Sequence, residues 1–209
     1  MSKRSTRLWM GVSLAVAMAV ALAAGWAASH GDRLGGALRA TARWSFVLFW
    51  LAYTGRPFAT LFGSRFNALA WHARDFGLSF AAAHSVHLGL VALLLCRMSK
   101  PFPREPLIFF AVAAIFVYLL ALLSVDRLAA MLGPRICKAV RRIGSAYIAL
   151  AFLVDFARNP FGGGITHAAQ YLPFLALTAA GIVLHEAAGL KRLTLQHGWP
   201  LLGRKVLHP

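Results

Sequence analysis

From Asp75 to Cys96 the chain reads DFGLSFAAAHSVHLGLVALLLC, 22 residues with no charged side chain after the first. A helix rises about 1.5 Å per residue, so this run is long enough to cross the hydrocarbon core of a bilayer. Two histidines, His84 and His87, lie near its middle. Their i, i+3 spacing places them on one face, one turn apart. An imidazole at that depth costs free energy unless it finds a hydrogen-bond partner, a metal or a polar cavity. Two readings follow. Either the histidines bond polar groups on neighbouring helices, or they serve a cofactor, since neutral imidazole is a common ligand of haem iron.

The rest of the chain agrees with a membrane setting. Of 209 residues, 59% are hydrophobic and only 13% are charged, against roughly a quarter charged in ordinary soluble domains. The pattern predicts an all-α, polytopic bundle of six transmembrane helices forming a single domain over residues 1–209. The expected spans are about 8–29, 44–63, 75–96, 106–125, 143–157 and 168–190. Residues 191–209 follow as a short basic tail. Lys3, Arg4 and Arg7 precede the first span, which reads as a retained signal anchor more than a cleaved signal peptide.

Between the spans, several features set expectations. Gly31 to Arg43 reads as a basic connection, and Ser64 to Arg74 as a loop. Pro57 is expected to kink or end the second helix. Pro106 suits the first turn of the fourth. Asp126 to Arg142 is strongly basic, and its middle suggests a short interfacial helix that turns at Gly133-Pro134. Gly162 to Gly164 marks a loop before the last span. Gly89 would let a neighbouring helix approach closely. Trp9, Trp26 and Trp44 fall near predicted interfaces, as an aromatic belt requires. Phe109, Phe110, Phe116 and Tyr118 read as packing or lipid-facing residues.

The net charge is +16, from 22 Lys and Arg against 6 Asp and Glu. The basic residues lie between the apolar runs, where they set topology and meet anionic lipid, so nucleic acid is not an expected partner. Fifteen of the 22 fall on the side of the N-terminus, the 2–3 segment, the 4–5 loop and the tail. That bias puts both termini in the cytoplasm of a bacterial inner membrane. Cys96 and Cys137 then lie on opposite sides, which excludes a disulfide between them.

With the second and third spans placed, two motifs carry a resemblance. Thr54-Gly55-Arg56-Pro57 closes one helix, and Arg74-Asp75-Phe76-Gly77-Leu78 opens the next. Together with Leu132-Gly133-Pro134-Arg135 and Tyr147, the stretch from Trp44 to Asp155 resembles the ferric reductase-like transmembrane family. That family includes the haem-binding membrane subunit of bacterial methionine-sulfoxide reductase. The resemblance implies a membrane electron-transfer subunit carrying haem b, with His84 as an axial ligand. It would pass electrons to or from a partner protein or a quinone. It would be at most one subunit of an oxidoreductase, since no flavin or nicotinamide domain is evident in the chain. The alternative is a haem-free member of the scaffold acting as a membrane anchor or assembly partner.

The fifth helix departs from the family pattern. Arg141 stands where the family's histidine is expected, and no histidine occurs between His87 and His167. Arg141 and Arg142 instead place fixed positive charge there, suited to lipid headgroups or a haem propionate. Asp155, near the next expected ligand position, reads as a partner of Arg158 or an interface residue. His185 is the candidate second axial ligand, and His84, His87 and His185 form the candidate cofactor-binding set. By helical rise His185 lies roughly 5–8 Å deep, against about 14 Å for His84. His30 and His167 fall in outer loops.

Overall fold

In the computed structural model, residues 3–28, 32–158 and 164–196 are described. They form six α-helices: α1 (Lys3–Ala27), α2 (Arg33–Phe62), α3 (Asn67–Arg97), α4 (Arg104–Leu122), α5 (Asp126–Ala157) and α6 (Gly164–Gln196). A 3-10 turn, Ser64–Phe66, joins α2 to α3. There is no strand among the described residues. Stretches of α1, α3, α4 and α6 are each long and apolar enough to cross a membrane. Those of α2 and α5 are not, because α2 carries buried polar residues and α5 opens on a basic segment.

The helices extend further than the apolar runs. Arg33 to Arg43, expected as a connection, forms the first three turns of α2. Asn67 to Arg74, expected as loop, belongs to α3. The reason is the same in both places. A charged residue ends a hydrophobic stretch but not a helix, and Arg, Ala and Leu are good helix formers. Pro57 does not end α2, which continues to Phe62. Pro106 lies in the first turn of α4, where its missing N–H costs nothing. The segment before the fifth span is helical but broken at Gly133, whose φ of 77° and ψ of 160° leave the helical region. Glycine adopts that φ without a Cβ clash, and Pro134 then opens the second segment with its φ already suited to a helix. Residues 159–163, including Gly162 and Gly163, lie outside the described residues, as do His30 and the tail from 197.

Side-chain contacts fix the directions. Thr6 meets Asp75 and Trp9 meets Phe76, so α1 and α3 run parallel. Thr41 meets His87 and Phe49 meets Phe80, so α2 and α3 are antiparallel. Arg43 meets Gln170 and Arg192 meets Thr60, so α2 and α6 are parallel. Ser85 meets Tyr118 and Arg74 meets Ser124, while Phe109 meets Tyr147 and Leu123 meets Arg141, so α4 is antiparallel to both α3 and α5. Direction therefore alternates along the chain, and Lys3 and Gln196 lie at the same end of the bundle.

Helix α2 is the centre, touching α1, α3 and α6. With α3, α4, α5 and α6 it encloses an interior filled by Phe46, Phe49, Phe80, Phe152 and Phe156, all less than 9% exposed. Buried hydroxyls are satisfied locally where Thr41, Thr54 and Thr178 donate back to their own helix, at 2.7–2.8 Å. The close approach of α2 and α3 depends on Gly55, where a Cβ would lie 2.8 Å from the Leu69 carbonyl oxygen. Gly89, expected to serve this purpose, has nothing within 4 Å of an added Cβ. Trp9 and Trp26 are exposed, whereas Trp44 turns inward and donates from Nε1 to the Ser13 carbonyl.

Basic side chains close α2 and α4, which finish at the end shared with Lys3. The last carbonyls of a helix lack partners within it and carry its negative dipole end. Lys191 Nζ donates to the carbonyls of Thr60 (2.9 Å) and Leu61 (3.5 Å) at the end of α2. Arg141 donates to the Leu123 carbonyl (2.8 Å), and Arg74 to that of Ser124, at the end of α4. Arg141, expected to act at headgroups or on a propionate, thus serves as a helix cap.

Candidate functional site

The site is built from the α2–α3 face. Its backbone is regular helix on both sides, so the register of one contact sets the next. His87 Nδ1 lies 3.1 Å from Thr41 Oγ1. One turn further along each antiparallel helix come Ser45 on α2 and His84 on α3. Ser45 is 0% exposed. Its Oγ and the Nδ1 of His84 are shut off from solvent, and neither has a hydrogen-bond partner among the described residues. Buried groups in that state are uncommon and costly. The face therefore holds one satisfied pair, Thr41 with His87, beside two unpartnered polar atoms.

Rings surround His84. Its imidazole lies 5.2 Å from Phe80 and 5.3 Å from His87, centroid to centroid. Phe80 in turn touches Phe49 (5.4 Å) and, across on α5, Phe152 (6.1 Å). The α5 residues level with His84 are Asp155 and Phe156. Phe156 packs on Phe46 (5.1 Å) and Phe174 (5.3 Å), and Asp155 forms no ion pair with His84. Asp155 is half-buried with the Arg158 charge near it.

No protein-family model, curated protein or solved structure matches the chain. The reading of the site therefore rests on its own geometry.

His185 is not brought to His84. Its ring stacks on Tyr53 at 4.6 Å and 5°. Tyr53 is eight residues along α2 from Ser45, the residue level with His84, which separates the two histidines by about 12 Å of helical rise. Two imidazoles that bind one haem iron must face each other across it, and these do not. His167 stacks on Tyr171 at 4.4 Å. Among the described residues no group of three or more His, Cys, Asp or Glu side chains could hold a metal ion. His84 and His185 therefore do not fit as the two axial ligands of one haem. At the level of His84 no imidazole comes from α5, and Phe80 and Phe152 pack between the two helices.

Reading the sequence missed the polar residues that α2 contributes to this face. Thr41 and Ser45 stand i, i+4 in a segment whose first part was assigned to a connection. A small hydroxyl pair at helical spacing, next to a histidine pair at helical spacing, was the available signal. A second polar cluster was also missed. Asp75, 5% exposed, accepts from Thr6 Oγ1 at 2.8 Å and lies 3.4 Å from His72 Nδ1. It ties α1 to α3, so the Arg74-Asp75 motif serves helix packing through both of its residues.

Proposed function

We propose that this chain is a six-span inner-membrane protein with both termini in the cytoplasm, retaining a scaffold like that of the ferric reductase-like family without its haem. In this reading it serves as a membrane anchor or assembly partner. The observation that carries it is the ring packing Phe49–Phe80–Phe152 between α3 and α5, with no ligand opposite His84. Alternating helix directions and the bias of basic residues support the topology. Although α2 and α5 lack long apolar windows, each is long enough to span, and α2 is screened from lipid by α1, α3 and α6.

Visible spectra of the purified protein, oxidised and dithionite-reduced, test the haem-free reading. The expected result is no Soret band and no reduced α-band at any occupancy above a few per cent. A stoichiometric b-type spectrum that His84→Ala abolishes overturns it. Topology has its own test. Alkaline phosphatase fused after Leu202 is expected to be inactive, and fused after Lys100 to be active; the reverse pattern overturns the orientation.

One observation favours a second reading. The unpartnered Nδ1 of His84 is suited to a polar ligand, such as the carbonyl oxygen of a quinone. The chain would then be an electron-transfer subunit working with a quinone and a redox partner protein. Quinone retained through purification and lost in His84→Ala would move the assignment to this reading.

A further inference from the structure

The N-terminal part of α5 presents surfaces that nothing among the described residues covers. In its first segment Leu128, Met131 and Leu132 are exposed, Met131 by 83%. Their i, i+3, i+4 spacing makes one apolar face. Beyond the break at Gly133, exposed Ile136 and Ile143 continue a stripe that reaches Leu150 and Val154 at steps of seven and four residues. This second stripe is the lipid-facing side of the span. It runs down past Arg142 to Ile136, so apolar contact extends to the level of the basic residues.

Beside these apolar faces stand Arg127, Arg135, Lys138 and Arg142, all exposed, with no hydrogen bond or ion pair of their side chains among the described residues. Arg135, Lys138 and Arg142 recur at i, i+3, i+7, which makes a second, basic face. Arg141 is already engaged with the Leu123 carbonyl. A short helix with apolar residues on one face and cations on the next lies in a membrane interface. The break at Gly133 lets such a segment leave the axis of the span, and Cys137 Sγ, 3.4 Å from the Ala129 carbonyl, holds the two segments together.

We propose that residues 126–142 form a bent interfacial clamp that binds anionic phospholipid of the leaflet on its own side. Leu128, Met131, Leu132 and Ile136 enter the acyl boundary, and Arg127, Arg135, Lys138 and Arg142 meet the phosphate groups. Charge complementarity selects this occupant. The four cations have no acidic partner among the described residues, and each basic residue near an anionic surface contributes about 1 kcal/mol, or about fivefold in affinity. The clamp rests on the membrane reading above but not on orientation, because a nanodisc presents the same lipid on both faces.

The test uses the full chain in nanodiscs of phosphatidylglycerol and phosphatidylcholine, with spin-labelled forms of each lipid as probes. The parent is expected to hold phosphatidylglycerol severalfold over phosphatidylcholine at low salt, and to lose the preference as salt rises. Changing Arg127, Arg135, Lys138 and Arg142 together to Gln should bring the ratio near one. Changing the three arginines to Lys should preserve it. Equal retention of both lipids by the parent, or an unchanged ratio in the Gln variant, overturns the clamp. A nitroxide on Met131→Cys in a Cys96→Ser background decides the matter even if the Gln variant fails to fold. Greater access to oxygen than to an aqueous nickel reagent is expected, and the opposite result overturns the clamp and indicates a soluble partner. An inverted phosphatase pattern with the lipid preference intact would overturn the orientation alone.

Discussion

Phe46→Ala is expected to lower stability by about 3–5 kcal/mol, the usual range for emptying a phenylalanine site in a packed core. Phe46 is 0% exposed, and its ring touches Phe152 at 5.3 Å, Phe156 at 5.1 Å and Phe174 at 5.7 Å. Few backbone contacts join α2 directly to α5, so these rings carry the connection between them. Lipid tails are as apolar as a protein core, so the transfer of a phenyl ring out of the bundle contributes little. What the alanine loses is contact with three rings that cannot collapse together, since each is fixed on a different helix position. Denaturation in mixed detergent micelles measures the loss. Ile115→Ala, at a position 64% exposed on α4, serves as the control and should stay within about 0.5 kcal/mol of the parent. A Phe46→Ala variant as stable as that control would show that the aromatic interior does not hold the bundle.

Gly55→Val is the second large effect, and here the cause is excess rather than loss. An added Cβ at Gly55 lies 2.8 Å from the Leu69 carbonyl oxygen and 3.2 Å from its carbon. Both are backbone atoms of α3, so no rotamer change relieves the clash. The helices must separate, and separation breaks the packing on which the Thr41–His87 and Phe49–Phe80 contacts depend. Alanine should cost about 1–3 kcal/mol, in the range of overpacked cores, and the branched valine more. Gly89→Ala, where nothing lies within 4 Å, should be neutral or stabilise by up to about 1 kcal/mol through helix propensity. The same micelle denaturation compares them. Equal stability of Gly55→Val and Gly89→Ala would contradict the close α2–α3 approach.

These two positions show where a reading of the sequence succeeds and where it stops. Both glycines lie in predicted spans, and the residues around Gly89 look more like a helix-packing site than those around Gly55, which precedes an arginine and a proline. Whether a glycine is needed depends on the distance to another helix, and no local pattern encodes that distance. The histidines teach the same point. Their shared face was legible from i, i+3 spacing. The partner of His87 was not, because the α2 turn carrying Thr41 was cut off at a boundary drawn from hydropathy. His185 was the candidate second ligand by its place in the last span, yet the register between α2 and α6 sets it beside Tyr53.

The sequence by itself determined the all-helical class, the apolar stretches of α1, α3, α4 and α6, the break at Gly133-Pro134 and the basic character of one end. Each of these follows from periodicity, length or a residue's own backbone preference, and so needs no knowledge of neighbours. Only the tertiary structure decided which rings fill the interior, that α2 is the central helix despite its polar residues, and that Arg74 and Arg141 close α4. It alone left His84 without a partner opposite. Those outcomes depend on the axial register of one helix against another, which is set by the summed packing of many side chains.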